Sequence, residues 1–182
     1  ALSWTFAVTL AAVAAAQTSQ APPVPRPFPG ATPPQPPVTK PADPAAIEKR
    51  LKEDKDHAIK AVCVVHNETS TGVVSDIGAV RRAIDAARHP ALLLVDTISS
   101  LGSIDYRHDA WGVDVTVGGS QKGLMLPTGM SLTGVSNKAI EVSRKNKMPR
   151  HYWNWEQMNG RAPQKFVGTA PVHMFFGLQE SL

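Results

Sequence analysis

An acidic and a basic side chain each follow an apolar segment with the composition of a buried strand. Asp96 comes directly after the run ALLLV, and Lys122 follows residues 113–117 and a Gly-Gly-Ser-Gln turn. In open α/β sheets, ligands bind beside the carboxyl ends of the strands, where both side chains are expected. A lysine on a tight turn can bond covalently to a carbonyl compound, and an aspartate beside a pyridine nitrogen keeps that nitrogen protonated. The pair therefore predicts a cofactor site.

One further segment is expected at the same edge of the sheet because it also follows a strand end. HNETSTG, residues 66–72, offers the hydroxyl groups of Thr69, Ser70 and Thr71, and Gln121 lies beside the lysine. Two structural alternatives stay open at this stage. Serine and threonine hydroxyls often bond only to a nearby loop backbone, and the acid and the amine could form an ion pair that holds loops together.

The order of elements that would position these residues is strand, helix, strand, which predicts an α/β fold with parallel, right-handed connections. Continuous apolar runs are typical of strands buried on both faces. Strands are predicted at 61–65, 91–95, 113–117 and 129–135. Helices are predicted at 45–60, 77–88 and 137–145, with another beginning in 172–182, whereas 148–163 is expected to be irregular.

Polar residues before three of these helices predict where each helix begins. Asp43 can cap a helix whose first residue is Pro44, Ser75 or Asp76 can cap the second, and Ser136 the third. Residues on one face of the first helix are expected to point inward: Ile47, Leu51 and Ala58.

The proline distribution divides the 182 residues into two parts. Eleven of the 16 prolines lie between Pro22 and Pro44, and 42% of the whole chain is hydrophobic. Residues 1–17 resemble a secretory signal, and 19–44 are expected to be an extended linker. We therefore predict a signal-like, Pro-rich region at 1–40 and one α/β domain at 41–182.

The charge and the cysteine content narrow the function classes. The net charge is +4, and the basic run around Lys145 is too short to predict nucleic-acid binding. Cys63, the single cysteine, lies in a predicted strand, so a buried structural thiol is expected. Neither a His-Glu-x-x-His arrangement nor paired cysteines are present, so no metal site is predicted.

Four segments resemble the class V pyridoxal-phosphate aminotransferases, and they are most similar to the serine–glyoxylate and alanine–glyoxylate branch. The segments are VVHNETSTG, LLLVDTISSLGS, WGVDVTVGGSQKGLMLPTG and FVGTAPVHMFFGLQESL. The resemblance extends over residues 41–182. It implies part of the large domain of a fold-type I transferase, with a mostly parallel sheet and flanking helices.

The resemblance also implies roles for individual residues. Lys122 would bind pyridoxal 5′-phosphate covalently and shuttle the substrate proton, while Asp96 would partner the pyridinium nitrogen. Thr69 would contact the hydroxyl side of the ring, and Gln121 would lie near the phosphate. Thr169 would reach the phosphate of a neighbouring subunit's cofactor, which implies a homodimer. The substrates would be small amino acids and 2-oxo acids, and neither a nucleic-acid nor a membrane partner is expected.

Parts of the family pattern have no counterpart in these 182 residues. The glycine-rich phosphate loop, the aromatic residue that stacks on the ring and the arginine that binds the substrate carboxylate are all expected to be missing. We therefore expect the isolated chain to bind the cofactor weakly and to turn over little substrate. One alternative is a non-catalytic remnant or an incomplete gene model of the family, possibly exported. Another is a desulfurase or other lyase, which the position of Cys63 disfavours. The resemblance favours a cytoplasmic or organellar location, whereas the signal-like segment favours export.

Overall fold

The computed structural model describes residues 39–150, 154–158 and 169–182. Every element described below lies in one compact unit, Pro36–Leu182. The signal-like stretch and most of the Pro-rich region fall outside the described residues. The domain boundary at residues 40 and 41 therefore stays a prediction.

The described residues form four strands and five helices. The strands are β1 (Ala61–Val65), β2 (Leu92–Asp96), β3 (Val115–Gly119) and β4 (Ser131–Val135). The helices are α1 (Pro44–Glu53), α2 (Ile77–Ala86), α3 (Asn137–Lys145), α4 (Trp155–Met158) and α5 (Val172–Ser181). The predicted strand 113–117 begins and ends two residues later, so β3 includes Gly118 and Gly119. The short helix α4 lies within the segment that was expected to be irregular.

The four strands form one sheet in the order β1-β2-β3-β4. β1, β2 and β3 are parallel, and β4 is antiparallel to β3. The predicted α/β class with a mostly parallel sheet is confirmed. Because three strands share one direction, the segments that follow β1, β2 and β3 all leave the sheet at the same edge.

The hydrophobic core lies between one face of the sheet and the helices α1 and α2. Val64, Leu93 and Val95 point to this face, and Ile84 and Leu51 pack there from the helices. Alternation along each strand places every second side chain on this side. The core therefore fixes the register of β1 and β2, and the register places their carboxyl ends side by side.

The opposite face of β1 is open in the described structure, which corrects the expectation of strands buried on both faces. Cys63 is exposed, and Val65 is 39% exposed. The prediction of a buried Cys63 is wrong, because the helices cover only the face to which Val64 points.

The first helix is shorter than predicted. It ends at Glu53, because the carboxylate of Asp54 accepts hydrogen bonds from the amides of Ala58 and Ile59 and so closes a turn. Residues 54–60 therefore connect α1 to β1, and Ala58 is exposed, not inward. Leu51 is buried and Ile47 packs against the core, as predicted.

The predicted helix starts are confirmed. The side chains of Asp43, Asp76 and Ser136 accept hydrogen bonds from the first turns of α1, α2 and α3. Each acceptor satisfies an amide that has no partner inside its helix. Within the described ranges, no helix is both long enough and apolar enough to cross a bilayer.

Candidate functional site

The first loop of the site follows β1 and is closed by its own backbone. The amide of Glu68 donates to the carbonyl of Val73 at 2.9 Å, and the amide of Gly72 donates to the carbonyl of Glu68 at 2.8 Å. Gly72 has φ +70°, a conformation that glycine adopts without steric cost. This turn places the exposed side chain of Thr69 at the edge of the sheet.

The second loop follows β2 and is anchored by a buried threonine. Thr97 is fully buried, and both its amide and its hydroxyl donate to the carbonyl of Val117, at 2.8 and 3.0 Å. The amides of Ser100 and Leu101 then bond back to the carbonyl of Thr97. The resulting tight turn presents Ser99, which is half-buried, to the edge of the sheet.

The third loop follows β3 and carries the lysine. Ser120 is fully buried; its hydroxyl donates to the carbonyl of Pro127 at 2.7 Å and accepts from the amide of Met130 at 3.3 Å. Its own carbonyl accepts from the amide of Leu126 at 3.0 Å. These bonds close the segment on both sides, so the position of Lys122 is fixed by its own loop.

The second and third loops pack too closely for a side chain at Gly123. A Cβ atom on Gly123 would lie 2.2 Å from the carbonyl oxygen of Leu101 and 2.5 Å from the hydroxyl of Ser103. The glycine therefore allows the backbone beside Lys122 to lie directly against the turn that carries Ser99.

The three loops meet at the amine of Lys122, as the sequence predicts. Its Nζ atom donates to the hydroxyl of Ser99 at 2.6 Å and to the hydroxyl of Thr69 at 2.9 Å. The two hydroxyls are also bonded to each other. The sequence analysis identified Thr69 and Lys122 but did not single out Ser99. The available signal was the position of Ser99 in the loop after Asp96. That signal does not distinguish Ser99 from its neighbours, because five residues of the loop are polar or small enough to line a site.

The carboxylate of Asp96 is exposed at the same edge. One oxygen accepts from the amide of Ile98 at 2.9 Å, and the other accepts no hydrogen bond from the described residues. In the sheet register Asp96 lies between Val65 and Val117, which are 39% and 41% exposed. The acid therefore stands on an open apolar surface and has one oxygen available to a ligand.

The structural ion pair considered as an alternative does not form. None of the ion pairs between described residues includes Asp96 or Lys122. The lysine is instead held by neutral hydroxyls, which can accept its protons but cannot neutralise its charge.

The charge of Lys122 acts on a second carboxylate, that of Glu68. The pKa of Glu68 is lowered, first because the amide and the hydroxyl of Ser70 donate to its carboxylate, and further because of the positive charge of Lys122. Ser70 thus bonds only within its own loop, which is the local role considered for these hydroxyls. Thr69 reaches across to the other loops. Glu68 was not predicted as a site residue.

A buried histidine lies directly behind the first loop. The amide of His66 donates to the carbonyl of Asp96 at 2.9 Å, and its ring packs against the rings of Tyr106 and Trp111. Only 3% of His66 is exposed, and its Nδ1 atom has no hydrogen-bond partner. Burial lowers the pKa of His66, so the ring supports the loop in its neutral form.

The remaining two predicted site residues are not joined to the lysine cluster. Gln121 is exposed, and its side-chain oxygen lies 3.0 Å from the position that a Cβ on Gly119 would take. Thr169 is exposed and lines a groove of about 660 Å³ between β4 and α5. No hydrogen bond connects either side chain to Lys122, and their contacts with a cofactor phosphate stay predictions. In the described part of the chain, no group of three or more His, Cys, Asp or Glu side chains could hold a metal ion.

The family model for aminotransferase class-V matches residues 38–182, which include the sheet and all three loops. The chain belongs to the class-V aminotransferase family. The match contains Lys122 and Asp96 and every segment on which the resemblance was based.

Two curated relatives are about half identical to the chain. The serine–glyoxylate aminotransferase of Methylorubrum extorquens is 50% identical over 147 residues, which are 78% of this chain and 37% of the relative. The L-aspartate–glyoxylate aminotransferase of Paracoccus denitrificans is 51% identical over 142 residues, 78% of this chain and 35% of the relative. The chain therefore spans little more than a third of the length of these relatives.

A solved structure shares the fold. The alanine–glyoxylate aminotransferase of a Nostoc species superposes with a TM-score of 0.62 at 30% identity, over 74% of this chain and 36% of that one.

Proposed function

We propose that this chain carries the lysine-bearing part of a pyridoxal-phosphate-dependent aminotransferase site, which transfers an amino group from serine or alanine to glyoxylate. One observation carries the proposal: the amine of Lys122 is held at the carboxyl edge of the sheet by hydroxyls from two other loops, in a chain of the class-V family. The L-aspartate–glyoxylate aminotransferase among the relatives adds aspartate as a third candidate donor.

The residues present fit the cofactor. The half-buried amine of Lys122 has no carboxylate partner, so it is available to a carbonyl group. The exposed carboxylate of Asp96 has one oxygen without a hydrogen bond, which could accept one from the edge of an aromatic ring. It lies between two half-exposed valines, whose apolar side chains could contact the face of that ring. When bound, pyridoxal phosphate supplies a protonated ring that withdraws electrons from the Cα atom of an amino acid.

The protein's own groups then have distinct tasks. The Nζ atom of Lys122 would move the proton between the substrate Cα and the C4′ atom of the cofactor, which requires a mobile but well-placed amine. The carboxylate of Asp96 keeps the proton on the ring nitrogen. The hydroxyl of Thr69, which lies beside the lysine amine, would contact the hydroxyl side of the ring.

The test is covalent labelling of the full chain. Pyridoxal phosphate is added, borohydride reduces the carbon–nitrogen double bond formed with loss of water, and peptide mapping locates the adduct. We expect labelling at Lys122 that disappears in Lys122→Arg, whereas Lys49→Arg, at an exposed lysine on α1, leaves it unchanged. Labelling spread evenly over exposed lysines would contradict the proposal.

The same experiment separates the catalytic proposal from the remnant alternative. We expect weak binding and little transamination from serine or alanine to glyoxylate by the isolated chain. Stoichiometric labelling at low cofactor concentration together with measurable transamination would exclude a non-catalytic remnant.

We further propose that Thr169 serves the cofactor phosphate of a second subunit in a homodimer. It is exposed on the β4–α5 groove, whose lining does not include Lys122, and this supports a role in a site other than that of its own lysine. Sedimentation over a range of concentrations should show a dimer. Thr169→Ala should weaken cofactor binding and leave the sedimenting mass that of a dimer. A monomer at every concentration would contradict this role.

A further inference from the structure

The lysine amine is part of a closed ring of three hydrogen bonds that joins all three loops. Nζ of Lys122 donates to Ser99 and to Thr69, and these two hydroxyls are bonded to each other. Nothing in the sequence pattern demands this ring, because its members are 23, 30 and 53 positions apart.

The chemistry of the ring decides what it can do. An ammonium group has three donors and no acceptor, and a hydroxyl has one donor and two lone pairs. The ring uses two of the three ammonium protons and one hydroxyl proton. It therefore stabilises the position of the amine, but contains no base that could remove its proton.

A long lysine side chain is otherwise free to adopt many rotamers, and its ordering is opposed by the loss of this conformational entropy. Only the Ser99 and Thr69 hydroxyls bond the amine among the described residues. The carboxylate of Glu68, whose pKa the charge of Lys122 helps to lower, is bonded to Ser70 instead. The hydroxyl ring is thus what orders this amine.

Ser99 is the stronger of the two partners. Its bond to Lys122 is the shorter, at 2.6 Å against 2.9 Å. It is half-buried, whereas Thr69 is exposed on its own turn. Its loop is also anchored from within by the buried Thr97, which bonds β3, the strand that leads to Lys122.

We propose that Ser99 is the positioning residue for Lys122: its hydroxyl, braced by Thr69, holds the amine at the edge of the sheet where an aldehyde ligand meets it. The identity of that ligand as pyridoxal phosphate rests on the proposed function. The positioning of the Lys122 amine by Ser99 is a property of the chain without ligand, so it can be measured without the cofactor.

The first measurement is competitive acetylation of the ligand-free, full chain with a trace of acetic anhydride, followed by peptide mapping. The reactivity of Lys122 is expressed relative to the exposed Lys49 in the same sample. Ser99→Ala should raise it about fivefold, which corresponds to the net contribution of about 1 kcal/mol of a typical hydrogen bond. Ser99→Thr, which keeps the hydroxyl, should remain within about twofold of the natural chain, by the same estimate.

The second measurement uses pyridoxal phosphate and borohydride on the same proteins. Ser99→Ala should lower the initial rate of adduct formation at Lys122 about threefold or more, because the amine is no longer ordered where the aldehyde binds. A rise in acetylation together with a fall in aldehyde trapping is the signature of lost positioning. A general loosening of the fold would raise both.

Two further variants complete the design. Ser181→Ala removes a half-buried hydroxyl that bonds only the carbonyl of Leu178 on α5, and should change neither measurement. Thr69→Val is close to isosteric and removes the hydroxyl that bonds both Ser99 and Lys122. It should raise the acetylation of Lys122 about two- to threefold, and it keeps the proposal testable if Ser99→Ala fails to fold.

The two proposals fail in different ways. If Ser99→Ala and Thr69→Val both leave the acetylation rate of Lys122 unchanged, the positioning role of Ser99 is refuted, whether or not pyridoxal phosphate labels Lys122. If acetylation rises as expected but pyridoxal phosphate never labels Lys122 in the natural chain, the positioning role stands and the proposed cofactor is wrong.

Discussion

Replacement of Gly123 by alanine tests whether the position of Lys122 depends on close backbone packing. The added Cβ would lie 2.2 Å from the carbonyl oxygen of Leu101, and real Cβ atoms essentially never come within 3.0 Å of such an atom. The contact is with backbone, which cannot rotate away. The loop that carries Lys122 and the turn that carries Ser99 must therefore separate by about 0.8 Å or more.

This separation has two consequences of predictable size. It lengthens the 2.6 Å bond from Lys122 to Ser99 to about 3.4 Å, beyond the ordinary length of such a hydrogen bond, unless the side chain follows. It also distorts a well-packed region, for which overpacking typically lowers the free energy of unfolding by about 1–3 kcal/mol. We therefore expect a lower urea midpoint, by about 1 M at the slopes typical of small domains.

Urea unfolding and labelling with pyridoxal phosphate and borohydride measure the two effects on the same sample. Gly177→Ala is the matched control, because its Cβ would meet Leu126 at an ordinary 3.4 Å within helix α5. That control should raise the free energy of unfolding by about 0.5–1 kcal/mol, since alanine is the better helix former. If Gly123→Ala unfolds at the natural midpoint and labels Lys122 normally, the close approach of the two loops does not determine the site.

Three further predictions concern residues around the site and at the first helix. Burial lowers the pKa of His66 in the folded chain. The neutral ring therefore contributes its whole share of stability above the ordinary pKa of about 6.5, and that share is lost as pH falls through the lower pKa of the folded state. In a plot of urea midpoint against pH, His66→Gln should make the decline at acid pH less steep. Asp43→Ala removes the acceptor for the amide of Ala45 and should lower the free energy of unfolding by about 1 kcal/mol, whereas Asp43→Asn should recover most of it. Ser120→Ala leaves the carbonyl of Pro127 without its hydrogen-bond donor. It should lower the free energy of unfolding in urea by about 1–3 kcal/mol and reduce the labelling of Lys122. Unchanged labelling would show that this hydroxyl does not fix the position of the lysine loop.

The sequence predicted the element types and the edge at which the site lies. Strand–helix alternation gave a mostly parallel sheet, and capping residues gave helix starts that the structure confirms at Pro44, Ile77 and Asn137. These signals are local: an N-cap acts on amides two or three residues away, and an apolar run marks a strand by its own composition. They suffice to place Lys122 and Asp96 at neighbouring strand ends.

Sequence reasoning went wrong where the outcome depends on a distant neighbour. The predicted helix through residue 60 ends at Glu53, because Asp54 competes for the amides of Ala58 and Ile59 and also bonds His89, 35 positions away. The burial predicted for Cys63 depends on which face of β1 the helices cover, and an apolar run carries no information about that.

The sequence by itself determined which residue types could do chemistry and that they follow strands sharing one direction. The tertiary structure decided which of them touch. Ser99 and Thr69 looked like ordinary loop hydroxyls, as did Ser70, yet only the first two bond the amine of Lys122. The physical reason is that hydrogen bonds act over about 3 Å, whereas the pattern of a loop fixes its residues only to within a turn. The packing of Gly123 against Leu101 supplies the missing precision.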